Sequence, residues 1–173
     1  MSTATRRDMP WAPAATAARL EPMTVQRLDA VMQIEQAAYA VPWTRGNFID
    51  SLAAGYIAHC LVDVASRVLA YSVAMTGADE IHLLNLTVAP STQGRGHARR
   101  LLAVLRDDAR QRCITQLWLE VRLSNERAHR LYRRDGWHEA GRRKGYYPNP
   151  PGAAGSERED ALLMRCTVDG ADA

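Results

Sequence analysis

Two groups of residues in this chain have types and spacings suited to chemistry. The first is Gln93-Gly94-Arg95-Gly96-His97-Ala98, a polar turn with two glycines. Glycines let a backbone approach a ligand closely, and the unpaired N–H groups that open a following helix point at it. Such a turn suits a phosphate. Arg95, Arg99 and Arg100 add positive charge, and a protonated His97 would add more. The spacing is neither GxGxxG nor a loop ending in Gly-Lys-Ser/Thr, which sets aside two familiar nucleotide sites. The second is a lone acid, Glu120, in the otherwise apolar run TQLWLEV. Burial there would raise its carboxyl pKa toward the range useful to a general base. The plainer alternative is an ion pair with Arg122 or Arg95.

These groups need elements to position them. Ile81 to Val88 is largely apolar and predicts a central strand, with His82, Leu84, Leu86 and Val88 on one side and Ile81, Leu83, Asn85 and Thr87 on the other. Pro90 ends it, having no N–H for a ladder. Beyond the glycine turn, Ala98, Leu101, Leu102, Leu105 and Ala109 recur at helical spacing up to about Arg112. Thr115 to Val121 predicts the strand that carries Glu120. Ser124 or Asn125 caps a helix with Ala128, Leu131 and Tyr132 on its apolar face, and Gly136 stops it.

Upstream, Arg19 to Met23 predicts a short strand. Thr24 and Thr44 are placed to cap two helices, the first carrying Leu28, Val31, Ile34, Glu35 and Ala38, the second ended by Gly55. Pro42 separates them, and Trp43 is either a core plug or the wall of a groove. Ile57 to Asp63 and Val68 to Met75 predict a hairpin. Downstream, Trp137 to Arg143 predicts a strand, Tyr146 to Arg158 a Pro/Gly-rich loop, and Ala161 to Val168 a final strand. The order β-α-α-β-β-β-α-β-α-β-β predicts an α/β layered domain over residues 16–168. Residues 1–15 and 169–173 are expected to be tails, the first of them flexible.

The 173 residues, 47% hydrophobic and 24% charged, suit one domain with a full core. The net charge of +3 is uneven: −2 up to Val88 (6 basic, 8 acidic) and +5 from Ala89 (16 basic, 11 acidic). That excess suits a polyphosphate ligand. It does not suit a dedicated nucleic-acid binder, and the arginines lack interleaved aromatics, so no specific nucleic-acid partner is expected. Cys60, Cys113 and Cys166 are odd in number and far apart, which predicts reduced, buried thiols in a cytoplasmic protein. No cysteines or histidines share ligand spacing, so no metal is expected. No apolar run approaches the roughly 20 residues of a membrane span, and the N-terminus lacks the apolar segment of a secretory signal.

Gln93, Gly96 and Ala98 match the Q/R-x-x-G-x-G/A loop of the GNAT acetyltransferases. The match continues through Leu117-Trp118-Leu119-Glu120-Val121-Arg122, Ser124-Asn125, Ala128, Leu131-Tyr132 and Gly136-Trp137. Upstream, Ile34-Glu35-Gln36, Pro42-Trp43, Asn85 and Val88 agree with it. Downstream, so do Tyr146-Tyr147-Pro148, Glu159-Asp160-Ala161 and Met164. Together these resemble the RimI-type branch, bacterial N-acetyltransferases of ribosomal-protein alanine, over roughly Met23 to Thr167. The N-terminus and the 149–158 loop are longer than that pattern.

The resemblance implies the GNAT fold, a mixed central sheet with a splayed central strand and helices on both faces. It implies acetyl-CoA as acetyl donor and the N-terminus of a ribosomal protein, the eighteenth of the small subunit, as acceptor. The loop from Gln93 through Gly94, Arg95, Gly96 and His97 to Ala98 would cradle the pyrophosphate. Backbone groups of Leu86, Thr87 and Val88 would hold the pantetheine arm, and Asn125 would touch it besides capping its helix. Glu120 would be the general base and Tyr132 the general acid, where composition alone reads a packed aromatic. Trp43 and the Tyr146-Tyr147 segment would form the peptide groove, with Glu35 or Glu159 holding the incoming ammonium. A GNAT acting on a small amine and an idle acetyl-CoA-binding module are the competing readings.

Overall fold

The computed structural model describes residues 18–150 and 158–168, so both expected tails lie outside the described residues. The elements are β1 (Arg19–Pro22), α1 (Leu28–Ala38), α2 (Arg45–Ala53), β2 (Ile57–Val62), β3 (Val68–Thr76), β4 (Glu80–Val88), α3 (His97–Gln111), β5 (Gln116–Arg122), α4 (Glu126–Arg134), β6 (His138–Pro148) and β7 (Arg158–Thr167). They follow the predicted order.

The strands form one seven-stranded sheet in the order β1-β2-β3-β4-β5-β7-β6. Every pairing is antiparallel except β4 with β5, which is parallel and crossed over by α3. On one face α1 and α2 bury Leu28, Val31, Ile34 and Phe48 against Ala58, Cys60, Tyr71 and Val73. On the other, Leu102, Leu105 and Ala109 of α3 and Tyr132 of α4 pack on Ile81, Leu83, Leu117 and Leu119.

The β4–β5 ladder runs from Glu80/Gln116 to Leu83/Leu119 and stops there, although both strands continue. This is the expected splay. At the same point β4 is irregular on its other edge: Ala74 pairs with Leu83 and Val73 with Asn85, leaving Leu84 as an extra residue. Such a bulge reverses the side-chain alternation beyond it. Ile81 and Leu83 therefore face α3, whereas Asn85 and Thr87 face α1, where they bond Glu35 and Tyr39. The single alternation expected from Ile81 to Val88 is corrected accordingly.

Thr44 caps α2 in a capping box with Asn47, as expected. Thr24 caps nothing with its side chain, because a 3-10 turn over Val25–Arg27 intervenes before α1. Strand β6 runs on through Tyr146, Tyr147 and Pro148, which were expected in a loop. Gly145, at φ +55°, absorbs the irregular register, and Pro148 ends an edge strand, a place where proline is tolerated. Cys60 and Cys166 are buried, but Cys113 is exposed. It takes the left-handed turn that closes α3 (φ +56°), with the N–H of Ile114 donating to the carbonyl of Ala109. No helix among the described residues is long and apolar enough to cross a membrane.

Candidate active site

Where β4 and β5 part, the sheet opens on two cavities. One, of about 260 Å³, is lined by Glu35, Trp43, Leu84, Asn85, Glu120 and Tyr147 among others. The second, of about 740 Å³, runs along the end of β4 and over the glycine turn. Both walls include Tyr39, Leu86, Asn125, Ala128 and Tyr132, so the two spaces meet at the fork.

The larger cavity collects the predicted cofactor residues. Leu86, Thr87, Val88, Gln93, Gly94, Gly96, His97, Ala98, Asn125 and Tyr132 all line it. Arg95 is not part of its wall; Arg99, Arg127, Arg130 and Arg134 supply the positive charge instead. The cradle fits an anion. Gly96 is the N-cap of α3 at φ +83°, and no side chain caps that end, so its first-turn N–H groups face outward. A Cβ built on Gly94 or Gly96 meets no atom within 4 Å. Gln93 ties the loop down, donating to the carbonyl of Val88 at 3.3 Å and accepting from Arg127. His97 does not add the expected charge: burial, then the charges of Arg95 and Arg100, hold its imidazole below the usual value. Asn125 caps α4, accepting from the N–H of Ala128 at 3.1 Å.

Glu120 lies just beyond the fork, with its side chain 6% exposed. Its partners are neither Arg122 nor Arg95. His82 Nε2 is 2.6 Å from Oε2, and Arg143 Nε is 3.2 Å from Oε1. Oε1 accepts no aligned hydrogen bond among the described residues. Burial pushes the Glu120 carboxyl up, as expected. The hydrogen bond and charge of His82, with the charge of Arg143, outweigh it, and the net shift is downward. The expected rise is thus overturned by partners that the strand's own composition does not reveal. Tyr132 is nearly buried, and burial pushes its phenol well above the ordinary value, so it stays protonated at neutral pH.

The predicted acceptor residues divide. Trp43 and Tyr147 line the smaller cavity; Tyr147 donates its hydroxyl to the Glu120 carbonyl at 2.9 Å, with Arg122 stacked over its ring at 4.5 Å. Tyr146 is not part of the wall and packs edge-on against Tyr147 with ring centroids 5.0 Å apart. Glu35 is 1% exposed and already engaged: Oε1 accepts from the Trp43 N–H at 2.8 Å, and Oε2 from the hydroxyl of Tyr71 and from Asn85 at 3.3 Å. It fastens the turn carrying Trp43 to the sheet and leaves no oxygen free for an ammonium. Glu159 is likewise taken, by Arg122 Nη1 at 3.0 Å and the Ser124 N–H at 2.7 Å. Sequence reasoning gave His82 a place on the strand but no chemical role, and did not single out Tyr39 or Arg143. The register of two parallel strands, which brings His82 to Glu120, has no local signal.

A sequence model of the acetyltransferase (GNAT) family matches residues 28–137. The chain is 37% identical over 145 residues to the ribosomal protein bS18-alanine N-acetyltransferase of Haemophilus ducreyi, covering 84% of this chain and 97% of that protein. It is 38% identical over 141 residues to the Salmonella typhimurium enzyme of the same name, covering 82% and 91%. The crystal structure of the ribosomal-protein-S18-alanine N-acetyltransferase from Escherichia coli superposes with a TM-score of 0.79 at 33% identity, covering 90% of this chain and 96% of that one.

Proposed function

Since this chain belongs to the acetyltransferase (GNAT) family, in its RimI-type branch of N-acetyltransferases, we propose that it acetylates the N-terminal alanine of a bS18-type ribosomal protein in the cytoplasm, using acetyl-CoA. The observation that carries this reading is the fork in the sheet, which joins an anion cradle to a second cavity, with Tyr132 on the wall that the two share and Glu120 on the wall of the second.

The uncapped N-terminus of α3 binds the pyrophosphate, and the β4 edge released beyond Leu83 offers backbone donors along Leu86 to Val88. Bound acetyl-CoA supplies the thioester carbonyl that receives the amine. An α-amine has a pKa of about 8, so part of it is neutral at cellular pH. Glu120, held ionised by His82 and Arg143, accepts the proton that the amine gives up, directly or through water. Tyr132, held protonated, donates to the departing thiolate. Trp43 and Tyr147 border the space through which the peptide enters.

The test offers acetyl-CoA and a panel of peptides with free N-termini, with the acetyl group located by mass spectrometry. Alanine-starting ribosomal peptides should be acetylated best, at the α-amine. Labelling confined to lysine side chains, or to small amines, would refute the reading.

A further inference from the structure

His82 stands at the base of the fork. It sits in the paired part of β4, beside Trp118 in parallel register, and Glu120 is the first β5 residue past the last rung. Both side chains are nearly buried, 15% and 6% exposed, with Nε2 and Oε2 2.6 Å apart. The other partner of the carboxylate is weaker. Arg143 is half exposed and reaches Oε1 without an aligned hydrogen bond.

We propose that His82 is a positioning residue for Glu120: its Nε2–H holds Oε2 from the rigid part of the sheet and so fixes the carboxylate that accepts the amine's proton. The chemistry follows from the geometry. A carboxylate on a strand that has just lost its neighbour can turn about its side-chain torsions toward Arg143 and solvent. A short bond from a residue anchored by ladder pairing removes that freedom. It also keeps the carboxylate ionised in a setting where burial alone would protonate it. The other titratable groups around the pair are Glu35 and Tyr39, Arg122, Tyr132 and Tyr147 on the same cavity wall, and Arg143 at its rim. Met75 and Trp118 flank His82 in the sheet and carry no charge. Among these, His82 alone hydrogen-bonds the Glu120 carboxylate.

The inference rests on the proposed function, and its test has a separate readout. His82→Leu fills the site but removes the donor; His82→Gln replaces the donor with an amide that does not titrate. In the acetylation assay His82→Leu should lower kcat about tenfold with the KM for acetyl-CoA within about twofold, and His82→Gln should recover most of the loss. The acid bend of kcat/KM should move up by about one pH unit or more in His82→Leu and stay near the wild-type position in His82→Gln. Carbon-13 NMR of labelled glutamate side chains, assigned with Glu120→Gln, reads the same carboxyl without turnover. Its midpoint should rise in His82→Leu. An unmoved midpoint, or wild-type kcat in His82→Leu, overturns the role given to His82. A wild-type protein that acetylates no peptide overturns the functional reading instead, and the NMR midpoint then decides the His82–Glu120 link by itself.

Discussion

Gly96→Ala separates the cost to the backbone from the cost to the ligand. Gly96 caps α3 at φ +83°, a region that a Cβ disfavours by about 1 kcal/mol. The added methyl group meets no protein atom within 4 Å, so the free protein loses conformational preference and little else. For a chain of this size, about 1 kcal/mol lowers the melting midpoint by roughly 2–4 °C. The methyl does enter the cavity where we place the pyrophosphate. Displacing one charge-assisted hydrogen bond there, at about 1.5–3 kcal/mol, weakens coenzyme A binding by roughly 10- to 100-fold. Gly55→Ala is the matched control. Gly55 also has a positive φ, +75°, and open space around it, and it belongs to neither cavity wall. Thermal melts without ligand and calorimetric titration with coenzyme A measure the two costs. Both variants should melt a few degrees lower, and only Gly96→Ala should lose affinity. Coenzyme A binding by Gly96→Ala within twofold of wild type refutes the cradle; an equal loss in both variants refutes its locality.

Glu120→Gln should lower kcat by roughly 100-fold or more while coenzyme A affinity stays within about twofold, and full activity in steady-state assays would remove Glu120 as the base. Glu35→Ala strands the Trp43 N–H, the Tyr71 hydroxyl and the Asn85 amide; at about 1–3 kcal/mol for each stranded donor, denaturant unfolding should show a loss of several kcal/mol, against a smaller loss in Glu35→Gln, which keeps one of the two acceptor oxygens. Stability should fall on acidification in two stages, because His97 and Glu120 both have folded pKa values below their unfolded ones. Each contributes stability above its unfolded value, about 6.5 for a histidine and 4.3 for a glutamate, and loses it as pH falls toward the folded one. Melting curves across pH should place the upper stage below about pH 6.5, and His97→Gln should abolish that stage.

The sequence by itself determined the elements, their order and the family. Helix and strand periods, the Thr44 and Asn125 caps and the glycine stops are local properties, written within a few residues of where they act. The glycine turn ahead of α3 was legible for the same reason, since a positive φ ahead of a helix calls for glycine at that position. What surrounds Glu120 was decided only by the tertiary structure. Its partners His82 and Arg143 lie on two other strands and arrive through the parallel register of β4 with β5 and through the β6–β7 pairing. No local pattern encodes a register between strands separated by a helix, or the extra residue at Leu84 that turns Asn85 toward Glu35. The sign of the Glu120 shift followed from that register. Burial, which composition predicts, pushes the carboxyl up, and the cation-forming side chains that the fold brings within 2.6 and 3.2 Å of its oxygens pull it further down.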